Sequence, residues 1–326
     1  MVEFIMLVGI PGSGKSTYAQ SLAKTKNAVI LSSDALRQEL FDDVNDNTRN
    51  QELFQELNKR TIENLTNGVS VIYDATNINS KRRQSLLKQL PKEVWKECHY
   101  LCVDFRKCIM NDFSRKERNV GIEVIKKMST SLQVPMHFEG WDNIVVLSDK
   151  GYTPNEKRDF RMLFYKLLER KLSIEEYADM LYCLKSVNLL NVPQDSRYHT
   201  LSVGRHCYET YSYIYDNYEG EDKEVMLLAG LLHDIGKPIT KRFDEDSRYA
   251  TYRNHDNVSA QITLRALNAI GYPKALQVSE LVQLHMRPSW RDTPEAKVAN
   301  EVLLKLVGQK IYDKLLFFRK ADMSAK

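Results

Sequence analysis

Through the first 148 residues, short and almost uninterrupted apolar runs alternate with longer segments in which apolar residues recur every three or four positions. The runs are Phe4–Val8, Ala28–Leu31, Val69–Tyr73, Cys98–Val103 and Ile144–Leu147. Apolar runs this short predict strands buried on both faces, and the segments between them, such as Arg49–Asn67 stopped by Gly68, predict helices. Strands alternating with helices predict an α/β fold on a mostly parallel sheet. The stretch from Ser148 to Asn155 is rich in turn-formers and has no period, which predicts a linker over 149–157. Beyond it the character changes. Phe160–Leu172, Ser173–Leu184, Leu201–Ile214, Lys223–His233, Val258–Ile270, Pro273–His285 and the C-terminal region all have helical spacing, with Gly271 as a stop. Two domains are therefore expected, an α/β domain over 1–148 and an all-α domain over 158–326.

Composition narrows this picture only a little. A chain of 326 residues gives each domain enough length for its own core, and 43% hydrophobic with 28% charged residues suits a folded protein. No apolar run approaches the ~18 residues of a membrane span, and Phe4–Val8 is too short for a signal-peptide core. A cytoplasmic protein with no membrane partner is expected. The five cysteines are an odd set without a C-x-x-C pair, which excludes a zinc ribbon and a disulfide framework. A net charge of +4 permits a nucleic-acid partner without demanding one.

The chemistry begins directly after the first strand. Gly9-Ile10-Pro11-Gly12-Ser13-Gly14-Lys15-Ser16-Thr17 fits the G-x-x-x-x-G-K-[ST] phosphate loop, set between a strand and a helix. Glycines let backbone N–H groups close around phosphate oxygens, and the helix N-terminus adds its positive end. Lys15 is placed to reach the β- and γ-phosphates, and the Ser16 hydroxyl to hold Mg²⁺, so the cofactor expected is ATP, or GTP or another nucleoside triphosphate. The carboxyl ends of parallel strands form the ligand crevice, which places Asp34 and Arg37 after the second strand, and Asp74 and Asn77 after the third, on its rim. Each aspartate could equally be a turn or N-cap residue. Arg115, and next to it Arg118, lie in a charged cluster that is either a solvated helix face or a cationic lid over a migrating phosphoryl group.

With these residues in place, the first half resembles the kinase domain of bacteriophage-type polynucleotide 5′-kinases. The resemblance is carried by Gly9–Thr17, Asp34-x-x-Arg37, Asp74-x-Thr76-Asn77 followed by Arg82 and Arg83, and Arg115. It implies that Asp34 is the general base for a 5′-hydroxyl and that Arg37 grips the acceptor's 3′-side phosphate. Lys15 and Arg115 would stabilise the transferring group, with Arg82 on the acceptor side.

In the second half, five of the seven histidines fall between positions 199 and 285. His233-Asp234 ends an apolar helix, and an unpaired buried carboxylate is costly there, so a metal between helices resolves the pair. Imidazole and carboxylate suit Zn²⁺, Mn²⁺, Fe, Co²⁺ or Ni²⁺. This half resembles the HD phosphohydrolase superfamily, through His206, His233-Asp234 with Gly236-Lys237, His255, His285 and Asp322. The resemblance implies that His206, His233, Asp234 and Asp322 hold one metal and that His255 and His285 extend the site to a second. Lys237 and Arg205 would neutralise phosphate, with His199 and Arg287 as further substrate-side candidates. Asp322 lies four residues from Lys326, so the last helix is expected to be incomplete if the chain has been shortened.

Taken together the halves resemble bifunctional end-healing enzymes that join a polynucleotide 5′-kinase to an HD phosphatase. That resemblance implies RNA or DNA ends, tRNA among them, as substrates, with a separate RNA ligase acting downstream. Two alternatives stay open: a nucleoside or small-molecule kinase fused to an HD nucleotidase, and a triphosphate-gated nucleic-acid binding module.

Overall fold

A computed structural model of the chain describes residues 1–115, 119–149, 153–184, 189–196, 200–245 and 247–325. The chain divides into two compact units, Met1–Asp149 and Lys150–Lys326.

The first unit runs β1 (Glu3–Val8), α1 (Lys15–Lys26), β2 (Val29–Ser32), α2 (Ser33–Phe41), α3 (Asn50–Thr66), β3 (Val71–Asp74), α4 (Ser80–Leu87), β4 (Trp95–Cys102), α5 (Phe105–Phe113), α6 (Ile122–Ser131) and β5 (Asn143–Ser148). All five strands are parallel, in the order β2-β3-β1-β4-β5. Phe4–Val8 of β1 and Val71–Tyr73 of β3 are apolar without a break because both their faces are buried. On one face Ile5, Leu7 and Ile72 pack with Ala19 of α1, and Tyr18, Leu22 and Ala23 close the edge of that cluster.

Chain order reverses at β1, so the loop after β1 opens at the switch point where such sheets take their ligands. Register brings the other candidates to the same edge, since Asp74 lies beside Leu7 on one side and Ser32 on the other.

One ion pair fixes the loop after β3. The Arg83 guanidinium is 1% exposed and donates to Glu139 Oε1 at 2.5 Å and Oε2 at 2.8 Å. It also donates to the carbonyls of Asn77 and Gln133. Glu139 further accepts from Ser80 Oγ and Trp141 Nε1, so every strong bonding site on the pair is used.

The second unit runs α7 (Pro154–Glu169), α8 (Ile174–Cys183), α9 (Val203–Asn217), α10 (Lys223–Leu232), α11 (Lys237–Thr240), β6 (Arg242–Phe243), β7 (Ala250–Thr251), α12 (His255–Ala269), α13 (Ala275–Leu284), α14 (Pro294–Val307) and α15 (Gln309–Ser324). Helix α10 is apolar all round and buried at every position from Val225 to Leu232, with α9, α13 and α15 packed around it. A side chain on Gly236 would meet His255 O at 2.6 Å, so only glycine lets the end of α10 approach α12 this closely.

Three features depart from the pattern of the sequence. Helix α7 starts at Pro154, inside the stretch expected as linker, because Thr153 and Glu156 form a reciprocal capping box with proline at the first helical position. The helical half contains a two-stranded ribbon, β6 with β7, whose two-residue strands are too short to show a period. The C-terminal region is two helices, parted at Gly308, which has a φ of 78°.

Replacing Arg83 by methionine leaves a buried carboxylate unpaired and is expected to cost about 3–5 kcal/mol. The measurement is hydrogen exchange of the β1 and β3 amides, which should lose about a hundredfold or more of their protection; a loss under about threefold would show that the pair does not support this unit.

Candidate functional site

Each unit carries one chemical centre. In the first, Gly12 has a φ of 79°, and a Cβ there would lie 2.1 Å from the Cys108 carbonyl oxygen, so the loop can pass over α5 only as glycine. Asn111 of α5 ties the same loop down by donating to Gly12 O at 2.8 Å. Gly9 N donates to Thr76 O at 3.1 Å, which joins the loops after β1 and β3. Gly14 caps α1, and Ser16 and Thr17 lie in its first turn, as the motif requires.

The Lys15 ammonium is buried and donates to Ile10 O at 2.9 Å. Burial lowers its pKa to about 8 against the pull of Asp74. Asp74 is 5% exposed, and burial raises its carboxyl, partly offset by Lys15 and by a hydrogen bond from Ser16. A carboxylate touching the motif hydroxyl beside a buried cation is a donor set for a divalent ion and a phosphate chain together. Asp34 is 51% exposed at its side chain and pairs with Arg37 at 3.2 Å. Arg37 is buried and also donates to Asn50 Oδ1 at 2.8 Å, which holds it in place.

Arg115 lies 3.9 Å from Asp112, close enough to Lys15 to act on its charge. Asp112 in turn accepts from the backbone N–H of Val120 and Gly121, which anchors the turn into α6. Arg118 lies outside the described residues. Arg82 is exposed on α4 and lines the cavity beside Asn77. Asn77 differs from its expected role: its amide donates to Leu7 O at 2.7 Å and to Ala75 O at 3.2 Å, so its protons hold the loop.

In the second unit His206 from α9, His233 and Asp234 from the end of α10, His255 at the start of α12, His285 at the end of α13 and Asp322 from α15 converge. His206 Nε2 is 2.9 Å from Asp322 Oδ1 and 3.4 Å from Asp234 Oδ2, and 3.2 Å from His233 Nε2. Asp234 Oδ1 is 3.2 Å from His255 Nε2 and 3.8 Å from His285 Nε2.

The second nitrogen of each ring explains the arrangement. Nδ1 faces a backbone carbonyl in all four histidines: Ala325 O for His206, Gly230 O for His233, Tyr252 O for His255 and Val282 O for His285, at 2.6–2.9 Å. A carbonyl only accepts, so Nδ1 carries a proton, and in the neutral ring Nε2 presents a lone pair to the centre. Lone pairs then face carboxylate oxygens, and Asp234 Oδ1 and His255 Nε2 are buried with no hydrogen-bond partner among the described residues. Two sets of three ligands lie within reach of a single ion, His206 with His233 and Asp322, and His233 with Asp234 and His285. Imidazole and carboxylate together fit a divalent transition metal.

The electrostatics favour added positive charge. Burial alone would raise Asp234 and Asp322, yet Lys237 and His233 drive the first, and hydrogen bonds from His206 and His233 the second, well below the usual carboxylate range. Burial lowers His233, but Asp234 reverses the shift and holds it well above the usual histidine value. Burial and the neighbouring His233 and His255 drive His285 down to about 3, which keeps its Nε2 unprotonated.

Lys237 reaches Asp234 Oδ2 at 2.5 Å and Gln194 Oε1 at 2.6 Å. Arg205 and Arg287 are exposed beside the cluster in sequence, and among the described residues no bond links either side chain to it. His199 lies outside the described residues. Two contributors escape a reading by motif. Arg319 donates to Asp322 Oδ2 at 2.6 Å, a partner its i,i+3 spacing could have suggested; Gln194 sits in an irregular loop where no local signal marks it.

Residues 4–135 match the family model described as an AAA domain, and residues 197–317 the model described as an HD domain. The chain is a fusion of a phosphate-loop, kinase-like domain with an HD domain. Over 100 residues it is 33% identical to the CC-adding tRNA nucleotidyltransferase of Thermus thermophilus, covering 30% of this chain and 22% of that protein. The chain spans about a fifth of the length of the curated relatives it matches. Among solved structures it is similar to a chain of the Pnkp1/Rnl/Hen1 RNA repair complex, with 25% identity and a TM-score of 0.37 over 40% of this chain and 44% of that one. It is also similar to a gluconokinase from Sinorhizobium meliloti 1021, with 16% identity and a TM-score of 0.33 over 44% and 81%.

Asp234→Asn removes the carboxylate of the set that it forms with His233 and His285 and should weaken metal binding at least about tenfold, whereas Arg205→Ala should leave it unchanged. Elemental analysis of the two purified variants checks this, and full metal content in Asp234→Asn would exclude Asp234 as a metal ligand.

Proposed function

We propose that the chain heals broken RNA ends, phosphorylating 5′-hydroxyls with ATP and hydrolysing 3′-phosphates or 2′,3′-cyclic phosphates. The observation that supports this is that one unit carries a phosphate-loop motif and the other a cluster of converging histidines and aspartates able to hold a metal ion. Acting on the same group they would only consume ATP; acting on opposite ends of a break they leave a 5′-phosphate and a 3′-hydroxyl, which a separate ligase joins. The relative in Thermus thermophilus is by its name an enzyme of tRNA, which supports RNA as the substrate.

In the kinase reading Ser16 and Asp74 hold Mg²⁺, while Lys15 binds the β- and γ-phosphates. Asp34, exposed and oriented by Arg37, accepts the proton of the 5′-hydroxyl as its oxygen attacks the γ-phosphorus and the bond to the ADP oxygen breaks. Arg37 and Arg82 bind acceptor phosphate, and Arg115 faces the charge that develops on the migrating group. In the phosphatase reading His206, His233, Asp234 and Asp322 hold one divalent metal, with His255 and His285 extending the site to a second. Such ions supply a nucleophile from water at neutral pH and neutralise the phosphate. Lys237 sets the charge of Asp234 and adds a cation beside the scissile group.

The test incubates the protein with γ-labelled ATP, a 5′-hydroxyl oligoribonucleotide and a free nucleoside, and separately with a 3′-phosphorylated oligoribonucleotide and Mn²⁺, Ni²⁺ or Co²⁺. Label should enter the oligonucleotide when Mg²⁺ is supplied, and a chelator selective for transition metals over Mg²⁺ should stop only 3′-phosphate removal. Lys15→Ala should lower transfer at least about a thousandfold and spare the hydrolysis, with Asp234→Ala doing the reverse. Label on the nucleoside alone would defeat the polynucleotide reading.

A further inference from the structure

A cavity of about 490 Å³ opens between α3, the loop after β3 and α4 of the first unit. Two of its wall residues connect it to the kinase centre. Asn50 accepts from Arg37, the partner of Asp34, and Thr76 accepts from Gly9 of the phosphate loop. The cavity therefore begins where the reacting groups end.

Its lining chemistry is unusual for a space beside two basic residues, because it contains no carboxylate. Arg83 is committed to Glu139, whereas Arg82 is exposed and has no ion pair among the described residues. Six carboxamides line the wall. Asn50, Asn58, Asn77 and Asn79 hold the surrounding structure, with Asn58 accepting from Tyr73 and Asn79 capping α4. The Gln51 and Gln55 side chains make no hydrogen bond among the described residues; they stand one turn apart on α3, with the half-buried Phe54 ring on the same face.

A carboxamide offers a coplanar donor and acceptor, the pattern that matches a nucleobase edge, while an aromatic ring matches a base's face. An unpaired guanidinium matches a phosphate, and a wall without acids admits a polyanion. The volume falls in the range of small-ligand sites, about 300–1,000 Å³.

We propose that this cavity binds the nucleobase of the acceptor's first nucleotide. Gln51 and Gln55 address its edge and Phe54 its face, while Arg82 holds the phosphate that follows, so the kinase recognises a base as well as a hydroxyl. The inference rests on the polynucleotide-kinase reading and goes beyond it by naming what the acceptor must carry.

The experiment compares phosphorylation by the full chain of two 5′-hydroxyl oligoribonucleotides that differ only in whether the first nucleotide has its base or is abasic. Loss of the base should lower kcat/KM at least about tenfold. In Gln51→Leu/Gln55→Leu, changed at two exposed positions, the intact acceptor should fall to within about threefold of the abasic one. KM for ATP and the rate of 3′-phosphate removal should not change, which shows that the variant is folded. Equal wild-type rates on the two acceptors, or a double variant with the full preference, would overturn the inference and leave the kinase reading standing. No transfer to any 5′-hydroxyl end would overturn both.

Discussion

The second unit depends on one buried carboxylate. Asp234 is 1% exposed and meets His206, His233, His255, His285 and Lys237 within 4 Å. Taking a carboxylate out of water costs several kcal/mol, and here the charges of Lys237 and His233 oppose that cost and hold Asp234 ionised. The four rings are held by backbone carbonyls at or next to helix ends, so the helix packing itself sets their tautomers. Gly236 permits the close approach of α12, and the apolar α10 supplies the buried platform. Lys237 pairs with Asp234 Oδ2 and leaves Oδ1 facing the imidazoles of His255 and His285, where a divalent cation would fit.

The first unit solves a related problem with a different outcome. Lys15 is a buried cation and Asp74 a nearly buried anion, and burial drives both toward neutrality while each restrains the other. Asp34, by contrast, stays half exposed. In the proposed reading the base that meets a polymer end is reachable, and the groups that hold the donor are not.

What the sequence reveals follows from how local each signal is. The glycine spacing of the phosphate loop, the apolar runs of β1 and β3 and the His233-Asp234 doublet are contained within a few residues, and each can be read without the fold. Convergence of His206, His255, His285 and Asp322 spans more than a hundred residues and is suggested by family resemblance, not by spacing. Amide roles are least legible. Asn77 reads as a substrate contact but holds its own loop, while Gln194, Asn50 and Gln51 give no signal until the chain is folded. Helix α7 begins earlier than its apolar period because a capping box, not burial, starts it.

Long-range ¹H–¹⁵N correlation of the histidine rings, recorded on metal-loaded protein and again after chelation, reads the tautomers directly. With metal, His206, His233, His255 and His285 should each show a protonated Nδ1 and a metal-shifted, proton-free Nε2, and chelation should shift all four Nε2 signals. Protons on Nε2 in the metal-loaded protein, or spectra that chelation leaves unchanged, would contradict a metal centre organised around Asp234.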